Sequence, residues 1–382
     1  MKEYKIPRSL VHLTHKTMRD EIMEKFESVL LSEYSLGAHL AGEQLEKEFL
    51  KYIGHEYVTG VHSATMGMLI GLRACGVKKG DEVITVGNSD ISTTAAIHSI
   101  GAVSVLCDIK FEDYTIDPST VEALITDRTS AILPVDMYGH PADVKKLRLI
   151  ADKYNLSIVQ DAALALGGSD YDLPVGSYAD IVVFSFAPLK PMGCLGNGGM
   201  VATSSPDLHQ AVKLLTGYGH AGGFEGMKIG HQDHIDEGYN VPIDPFQAAL
   251  VSVKLHKLDE WTKRRREIVD LYSKHLQGHD LHLPTFRADS EPTYRCYTVC
   301  VGDQSRILKA LREEGVEAVL HYVPPVYKQS VYKDTALSEA NLPMTDKVTD
   351  SLLCLPVSPE LSDEQVMDVI AIFNKVMYLS NN

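Results

Sequence analysis

From about residue 53 to residue 186, short apolar runs rich in β-branched residues alternate with runs of helical periodicity, and this alternation constrains the chain more than any other feature. Strand-like Tyr57 to Val61 leads into helix-like Met66 to Ala74, and the turn at Gly80-Asp81 leads into the strand-like EVITV. Helix-like Thr93 to Ser99, strand-like AVSVLCDI, helix-like Ser119 to Ile125, strand-like SAILPVDMYG and helix-like Ala142 to Tyr154 follow, and the series ends on SIVQDAAL and DIVVFSF. Strands this short, apolar on both faces and separated by helices, require crossover connections and a mostly parallel sheet covered on both sides. The fold class expected is therefore α/β.

After Pro245 the pattern changes. FQAALVSVKLHKLDEWTKRRREIVDLYSKHL spaces its apolar residues by three and four, as one long amphipathic helix or two abutting ones. TYRCYTVCV alternates like a half-exposed antiparallel strand, ILKALREEG reads as a helix, and VEAVLHYVP reads as another strand. The expectation is a large domain over residues 1–250 and a smaller α+β domain over 251–382, and 382 residues suffice for both cores.

Composition narrows the function. With 36 basic against 51 acidic residues and a net charge of -15, the chain has no electrostatic footprint for nucleic acid or an anionic membrane, which favours small-molecule chemistry. The N-terminal stretch lacks the apolar core of a signal peptide, and no window approaches the roughly 18 apolar residues of a membrane span, so a cytoplasmic protein is expected. The six cysteines are scattered, and Cys296 and Cys300 are spaced for neither a redox pair nor a zinc knuckle; reduced thiols, partly in the core, are expected. His209, His220, His231 and His234 lack the spacing and third ligand of a metal site, and no metal is expected.

In a parallel α/β sheet ligands gather at the carboxyl ends of the strands. Three loops belong there. HSAT, His62 to Thr65, joins a strand directly to a helix, with Ser63 as a good N-cap and small Ala64 and Thr65 allowing an anion to approach free backbone N–H groups; read alone, such a stretch is more often a plain cap. QDAAL places Asp161 at the end of an apolar strand, where a carboxylate needs a hydrogen bond or a cation. FSFAPLK places Ser185 just inside a strand end and Lys190 beyond it, where a lysine is ordinarily a solvated side chain. An anion cradle, a buried carboxylate and a desolvated lysine are together what pyridoxal 5'-phosphate requires: the amine condenses with its aldehyde, the carboxylate keeps its ring nitrogen protonated, and the helix terminus takes the phosphate.

These residues also carry a resemblance. LGAHLAGEQLEKEFLKYIG, GVHSATMGMLIGL, GVKKGDEVIT, TSAILPVDMYGHPADV, VQDAALALGG, VGSYADIVVFSFAPLKPMGCLGNGGMVAT, GYNVPIDPFQAAL and VLHYVPPVY are similar, in order, to segments of the DegT/DnrJ/EryC1/StrS family of sugar aminotransferases. The resemblance implies fold type I, with a mostly parallel seven-stranded sheet between helices. It implies Lys190 as the Schiff-base and proton-shuttling residue and Asp161 as the partner of the pyridine nitrogen. Ser63, Ala64, Thr65 and Ser185 are implied at the phosphate, together with Asn240 reaching across a homodimer interface to the partner's cofactor. His321 and Tyr322 are implied at the substrate. His220 lies in GYGHAGG, whose glycines suit a mobile lid over the site, and it is a further candidate substrate residue.

The chain departs from the family pattern at five places. Asp90 stands where an aromatic residue usually faces the ring, Leu164 where a glutamine is common, Asn197 for the glutamate of the glycine-rich turn, Ala64 for a glycine, and Thr216 for an arginine. These departures point to altered polar contacts near the substrate. The reaction implied is transfer of an amino group from an amino acid, by family analogy L-glutamate, to a keto-sugar, with ping-pong kinetics. A nucleotide-linked keto-deoxysugar is the leading acceptor, and a keto-sugar phosphate or ketocyclitol the alternative. From another class stands a binding or regulatory protein that retains the fold without catalysis.

Overall fold

The computed structural model describes residues 4–32, 37–221 and 233–380. Three helices, α1 (Val11–Thr17), α2 (Arg19–Leu30) and α3 (Gly37–Phe49), precede the alternating region. That region runs β1 (Tyr57–Val61), α4 (Ala64–Ala74), β2 (Glu82–Val86), α5 (Ile91–Ser99), β3 (Val103–Cys107), α6 (Pro118–Val121), β4 (Thr129–Ile132), α7 (Val144–Tyr154), β5 (Ser157–Asp161) and β6 (Ile181–Ser185). It continues with β7 (Gly199–Thr203) and α8 (Pro206–Thr216). The seven strands form one sheet in the order β1-β7-β6-β5-β4-β2-β3.

All neighbours are parallel except β7, which runs antiparallel to both β1 and β6. Its direction follows from its connection. Between Ser185 and Gly199 there is no helix to carry the chain back across the sheet, so it returns as a wide hairpin, closed by Phe186 N–H to Gly198 O at 2.9 Å and Cys194 N–H to Phe186 O at 2.7 Å. The glycine-rich stretch after Lys190 leads straight into β7, whose five residues are all buried.

Helix α4 lies across β6, β7 and β5, and two glycines permit the contact. A Cβ on Gly67 would meet Val183 Cγ1 at 2.7 Å, and one on Gly71 would meet Ile181 Cγ2 at 3.1 Å. The opposite face of the sheet is covered by α3 and by α9 (Pro245–Leu255), whose first turn is capped by the Asp244 carboxylate accepting from Phe246 and Gln247 N–H.

The C-terminal half is built on α10 (Leu258–His275), β8 (Tyr297–Cys300), α11 (Gln304–Glu313), α12 (Pro343–Ser351), β9 (Leu352–Leu355) and α13 (Asp363–Ser380). The long amphipathic run is thus two helices, and α9 spans residue 250, packing with the large-domain core. The N-terminal segment joins the other half: Ile6 bridges Val316, with Ile6 N–H to Gly315 O at 3.0 Å. β8 pairs antiparallel with β9 as its alternation implied, but it is buried on both faces, Tyr297 and Val299 in one core and Cys300 in another. VEAVLHYVP forms no strand. Val316 and Val319 make single bridges, to Ile6 and Cys354, and Pro324 and Pro325 then remove the N–H groups a ladder needs.

Candidate active site

Because β1, β2, β5 and β6 point the same way, their carboxyl ends share one edge of the sheet, and the three predicted loops meet there. At the end of β1, Ser63 is the N-cap of α4, extended at φ -162° and ψ 161°, and its Oγ accepts from Met66 N–H at 3.3 Å. The first-turn N–H groups of Ala64 and Thr65 have no intrahelical acceptor and carry the positive end of the helix dipole. Gly199 lets β7 pass directly behind: a Cβ there would lie 2.9 Å from Ala64 N, Ser63 C and Phe184 O. Ser185, 6% exposed at the end of β6, accepts at Oγ from Ala187 N–H at 3.3 Å, which turns the chain toward Lys190.

Asp161 ends β5 almost fully buried. Its Oδ1 accepts from Ala163 N–H at 3.0 Å, whereas Oδ2 has only the Thr93 hydroxyl at 3.4 Å. Burial pushes this carboxyl above its ordinary range, with the Ala163 N–H and the Lys190 ammonium opposing the shift. Lys190 moves the other way. Burial holds its amine below the ordinary lysine range, Asp161 pulls it up, and Arg295 adds to the lowering. An amine eased toward neutrality is a nucleophile and a proton carrier.

A cavity of about 280 Å³ opens between these groups, walled by Ser63, Ala64, Thr65, Asp161, Ser185 and Lys190. Asp90, Leu164 and Asn197 line it as well, so with Ala64 four of the five departures from the family pattern face the site. Asp90 has a local reason to be there: it is the N-cap of α5, its Oδ1 accepting from Ser92 N–H at 2.9 Å. A second cavity, of about 380 Å³, lies beyond Lys190 and shares Leu164, Ala187, Lys190 and Tyr322 with the first. His321 lines it, its carbonyl accepting from Tyr138 Oη at 2.6 Å, so both residues read from VLHYVPP reach the site.

Two further residues of this second cavity, Arg8 and Arg295, were missed in the sequence. Neither sits at a strand end of the large sheet; a lone arginine opening the otherwise apolar CYTVCV was the available signal.

Three expected positions lie elsewhere. His220 is 1% exposed and packs its ring edge-on against His234 at 5.3 Å, away from both cavities of its own chain. Residues 222–232, His231 among them, lie outside the described residues. Thr216 is the buried last residue of α8, its hydroxyl donating to Val212 O and Lys213 O, both at 3.0 Å; it serves the helix end and does not line the site. Asn240 is exposed, bridges Gly217 and lies outside its own chain's cavity.

The residues present fit pyridoxal phosphate. Asp161 is buried, lines the cavity and has the Thr93 hydroxyl, at 3.4 Å, as the one partner of its Oδ2 among the described residues, which suits a protonated ring nitrogen, and the open donors of α4 line the same cavity as Ser185 for the phosphate. Among the described residues no group of His, Cys, Asp and Glu is arranged to hold a metal. Nor does any described helix have the length and apolarity to cross a membrane.

A strand-end lysine, a buried carboxylate and a helix N-terminus on this sheet define a fold-type I, pyridoxal phosphate-type site. The profile of the DegT/DnrJ/EryC1/StrS aminotransferase family matches residues 16–374, and the chain belongs to that family. It is 33% identical over 359 residues, 93% of each chain, to the dTDP-3-amino-3,4,6-trideoxy-alpha-D-glucose transaminase of Streptomyces venezuelae. It is 31% identical to the UDP-N-acetyl-3-dehydro-alpha-D-glucosamine 3-aminotransferase of Acidithiobacillus ferrooxidans, over 94% of this chain and 95% of the relative. The crystal structure of S. venezuelae DesV in complex with a ketimine intermediate superposes with a TM-score of 0.91 at 31% identity, over 98% of both chains.

Proposed function

We propose that this chain is a pyridoxal phosphate-dependent aminotransferase that moves an amino group from an amino acid, L-glutamate by family analogy, to a keto-sugar in amino-sugar biosynthesis. The observation that carries the reading is the Lys190 amine and the Asp161 carboxylate lining one cavity whose third wall is the α4 N-terminus. The acceptor is a nucleotide-linked keto-deoxysugar, and the two relatives described above, whose names both place the amine or the ketone at carbon 3, support a carbonyl at that ring position.

When bound, the cofactor supplies an electron sink for the carbon that loses its proton. The chain does the rest. Ser185 and the first turn of α4 would hold the phosphate, and Asp161 would keep the ring nitrogen protonated. Lys190, its amine held toward neutrality by burial, would take a proton from the substrate carbon at Nζ and give one back to the substrate side of the site. The donor leaves as a 2-oxo acid before the keto-sugar enters, which gives ping-pong kinetics.

The working unit is a homodimer in which Asn240 completes the partner's phosphate site. Exposed Leu189 and Leu195, flanking the site loop, support a second copy covering it. A cytoplasmic setting suits six cysteines that are all free thiols. The rival reading, a regulatory protein that has lost catalysis, gives no chemical reason to keep Lys190 and Asp161 about one cavity.

The deciding experiment compares wild type and Lys190→Ala by absorption spectroscopy before and after glutamate. Wild type is expected to show the visible band of a lysine-bound cofactor and to lose it on adding glutamate. The folded variant is expected to show neither, with turnover down by a factor of about 10⁴ or more, as for loss of a covalent catalytic residue. Full turnover by Lys190→Ala would refute the mechanism.

A further inference from the structure

The cavity beyond Lys190 is lined by two guanidinium groups, Arg8 and Arg295, and by no carboxylate. Arg8 is provided for: its Nε is 3.5 Å from Glu317 and its Nη1 3.4 Å from His321 Nε2. Arg295 is not. Among the described residues it forms no ion pair, its Nε is buried without a hydrogen-bond partner, and its Nη1 reaches only Cys296 Sγ at 3.5 Å.

The surroundings deepen the excess of positive charge. A small neighbouring cavity of about 50 Å³ shares Arg8, Lys190 and Arg295 and adds Lys254 and Arg265. Arg265 is 7% exposed, and its Nη1 also lacks a partner among the described residues. Glu360 is the one carboxylate on that wall, and its oxygens already accept from the Thr14 and Ser358 hydroxyls. Arg295 is half-buried and Arg265 has only the shared Glu360 as a counter-charge; guanidinium groups so placed are ordinarily kept where an anion meets them.

Arg295 is also held in place. Thr293 N–H donates to Gly139 O at 3.0 Å and Cys296 N–H to Tyr138 O at 3.2 Å, which clips the arginine's backbone to the turn after β4. A side chain on so fixed a segment is pre-organised for bidentate recognition of a planar oxyanion.

We propose that Arg295, with Arg8 beside it, is the subsite for the α-carboxylate of the amino-acid donor and of the 2-oxo acid that leaves. The assignment rests on the aminotransferase reading, and position decides between possible anions. The α-carboxylate is bonded to the carbon whose proton Lys190 moves, so it must lie next to Lys190, in the cavity that both Lys190 and Arg295 line. The phosphates of a nucleotide-linked sugar stand a ring or more away from the reacting carbonyl. Arg295 therefore selects the donor, and the acceptor's phosphates bind elsewhere.

The test uses the full-length protein in two forms. With cofactor-loaded enzyme, the donor half-reaction is followed by absorption at rising glutamate for wild type, Arg295→Gln, Arg295→Lys and Arg8→Gln. Arg295→Gln is expected to lower its second-order rate constant by about 10- to 100-fold, the range for losing a charged hydrogen bond, with Arg295→Lys recovering part and Arg8→Gln losing less. With cofactor-free protein, calorimetry measures 2-oxoglutarate binding with inorganic phosphate as competitor. Arg295→Gln is expected to weaken 2-oxoglutarate by a similar factor while its melting temperature stays at the wild-type value.

A folded Arg295→Gln with unchanged donor rate constant and unchanged 2-oxoglutarate affinity overturns the proposal. So does loss of phosphate binding with 2-oxoglutarate binding retained, which would assign the arginines to the acceptor. If wild type exchanges with no amino acid, the aminotransferase reading falls by itself, and the calorimetric comparison still decides whether Arg295 binds a carboxylate.

Discussion

Two aspartates sit back to back behind the site, and their contrast shows what burial does to a carboxyl group. Asp161 looks into the cavity; Asp136 is fully buried, and burial raises its pKa to about 8 against the opposing hydrogen bonds from Ala142 and Gln160. Ala142 N–H is 2.9 Å from Oδ1, and Gln160 Nε2 is 3.0 and 2.8 Å from the two oxygens. With the folded pKa near 8 and the unfolded pKa near about 4, folding takes up a proton between those values, so this group costs progressively more stability as pH rises from about 4 to about 8. Asp136→Asn removes the titration. Gln160 Oε1, buried and without a partner among the described residues, becomes an acceptor for the new amide once the glutamine side chain turns over. The melting temperature of Asp136→Asn relative to wild type is therefore expected to improve from pH 5 to pH 8, by at least about 2 °C, in scanning calorimetry at matched ionic strength; a difference that is flat with pH would refute the assignment. Residues at this scale were legible where strand order alone placed them. Ser63, Asp161, Ser185 and Lys190 sit at strand ends, whereas Arg8, Arg295 and Asp136 take their meaning from segments far apart in sequence.

The phosphate end of the site depends on three elements meeting without side chains between them. β7 can pass behind the N-terminus of α4 because position 199 is glycine, and the backbone atoms a Cβ would strike, at 2.9 Å, cannot rotate away. Gly199→Ala is expected to shift α4 outward, lowering stability by about 1–3 kcal/mol, the range for overpacking, and weakening cofactor affinity by about tenfold as the open N–H groups leave the phosphate. Denaturant melts with and without cofactor, and titration of the cofactor-free protein, would measure both. Unchanged affinity at lowered stability would mean that the glycine serves packing alone. The alternating strands and helices were readable because period and length agreed in each. β7 was not, because the glycines at and before its start weaken any strand pattern and its antiparallel direction is a property of the connection. VEAVLHYVP misled in the opposite way, its β-branched residues promising a strand that the following prolines and the Tyr138–His321 contact prevent.

At the scale of the whole molecule, the sequence showed two halves but not how they interleave: Ile6 is stitched to Val316 and α9 returns to the large core, since pairing between distant segments leaves no local period. The same limit applies to assembly. Asn240, exposed and absent from its own chain's cavity, contributes to the chemistry only if it serves a second copy, and this can be separated from any role within one chain. Lys190→Ala alone and Asn240→Ala alone are each expected to be impaired, the first inactive and the second with weakened cofactor binding. Mixed and allowed to exchange subunits, half of the dimers become hybrids, each with one site combining an intact Lys190 with an intact Asn240 from the other chain and one site lacking both. Random pairing then restores about one quarter of wild-type activity per dimer at limiting cofactor, where Asn240→Ala homodimers are nearly silent. If Asn240 instead worked within its own chain, mixing would restore nothing, because no hybrid would hold both residues in one polypeptide's site, and the shared-site reading of the homodimer would fall.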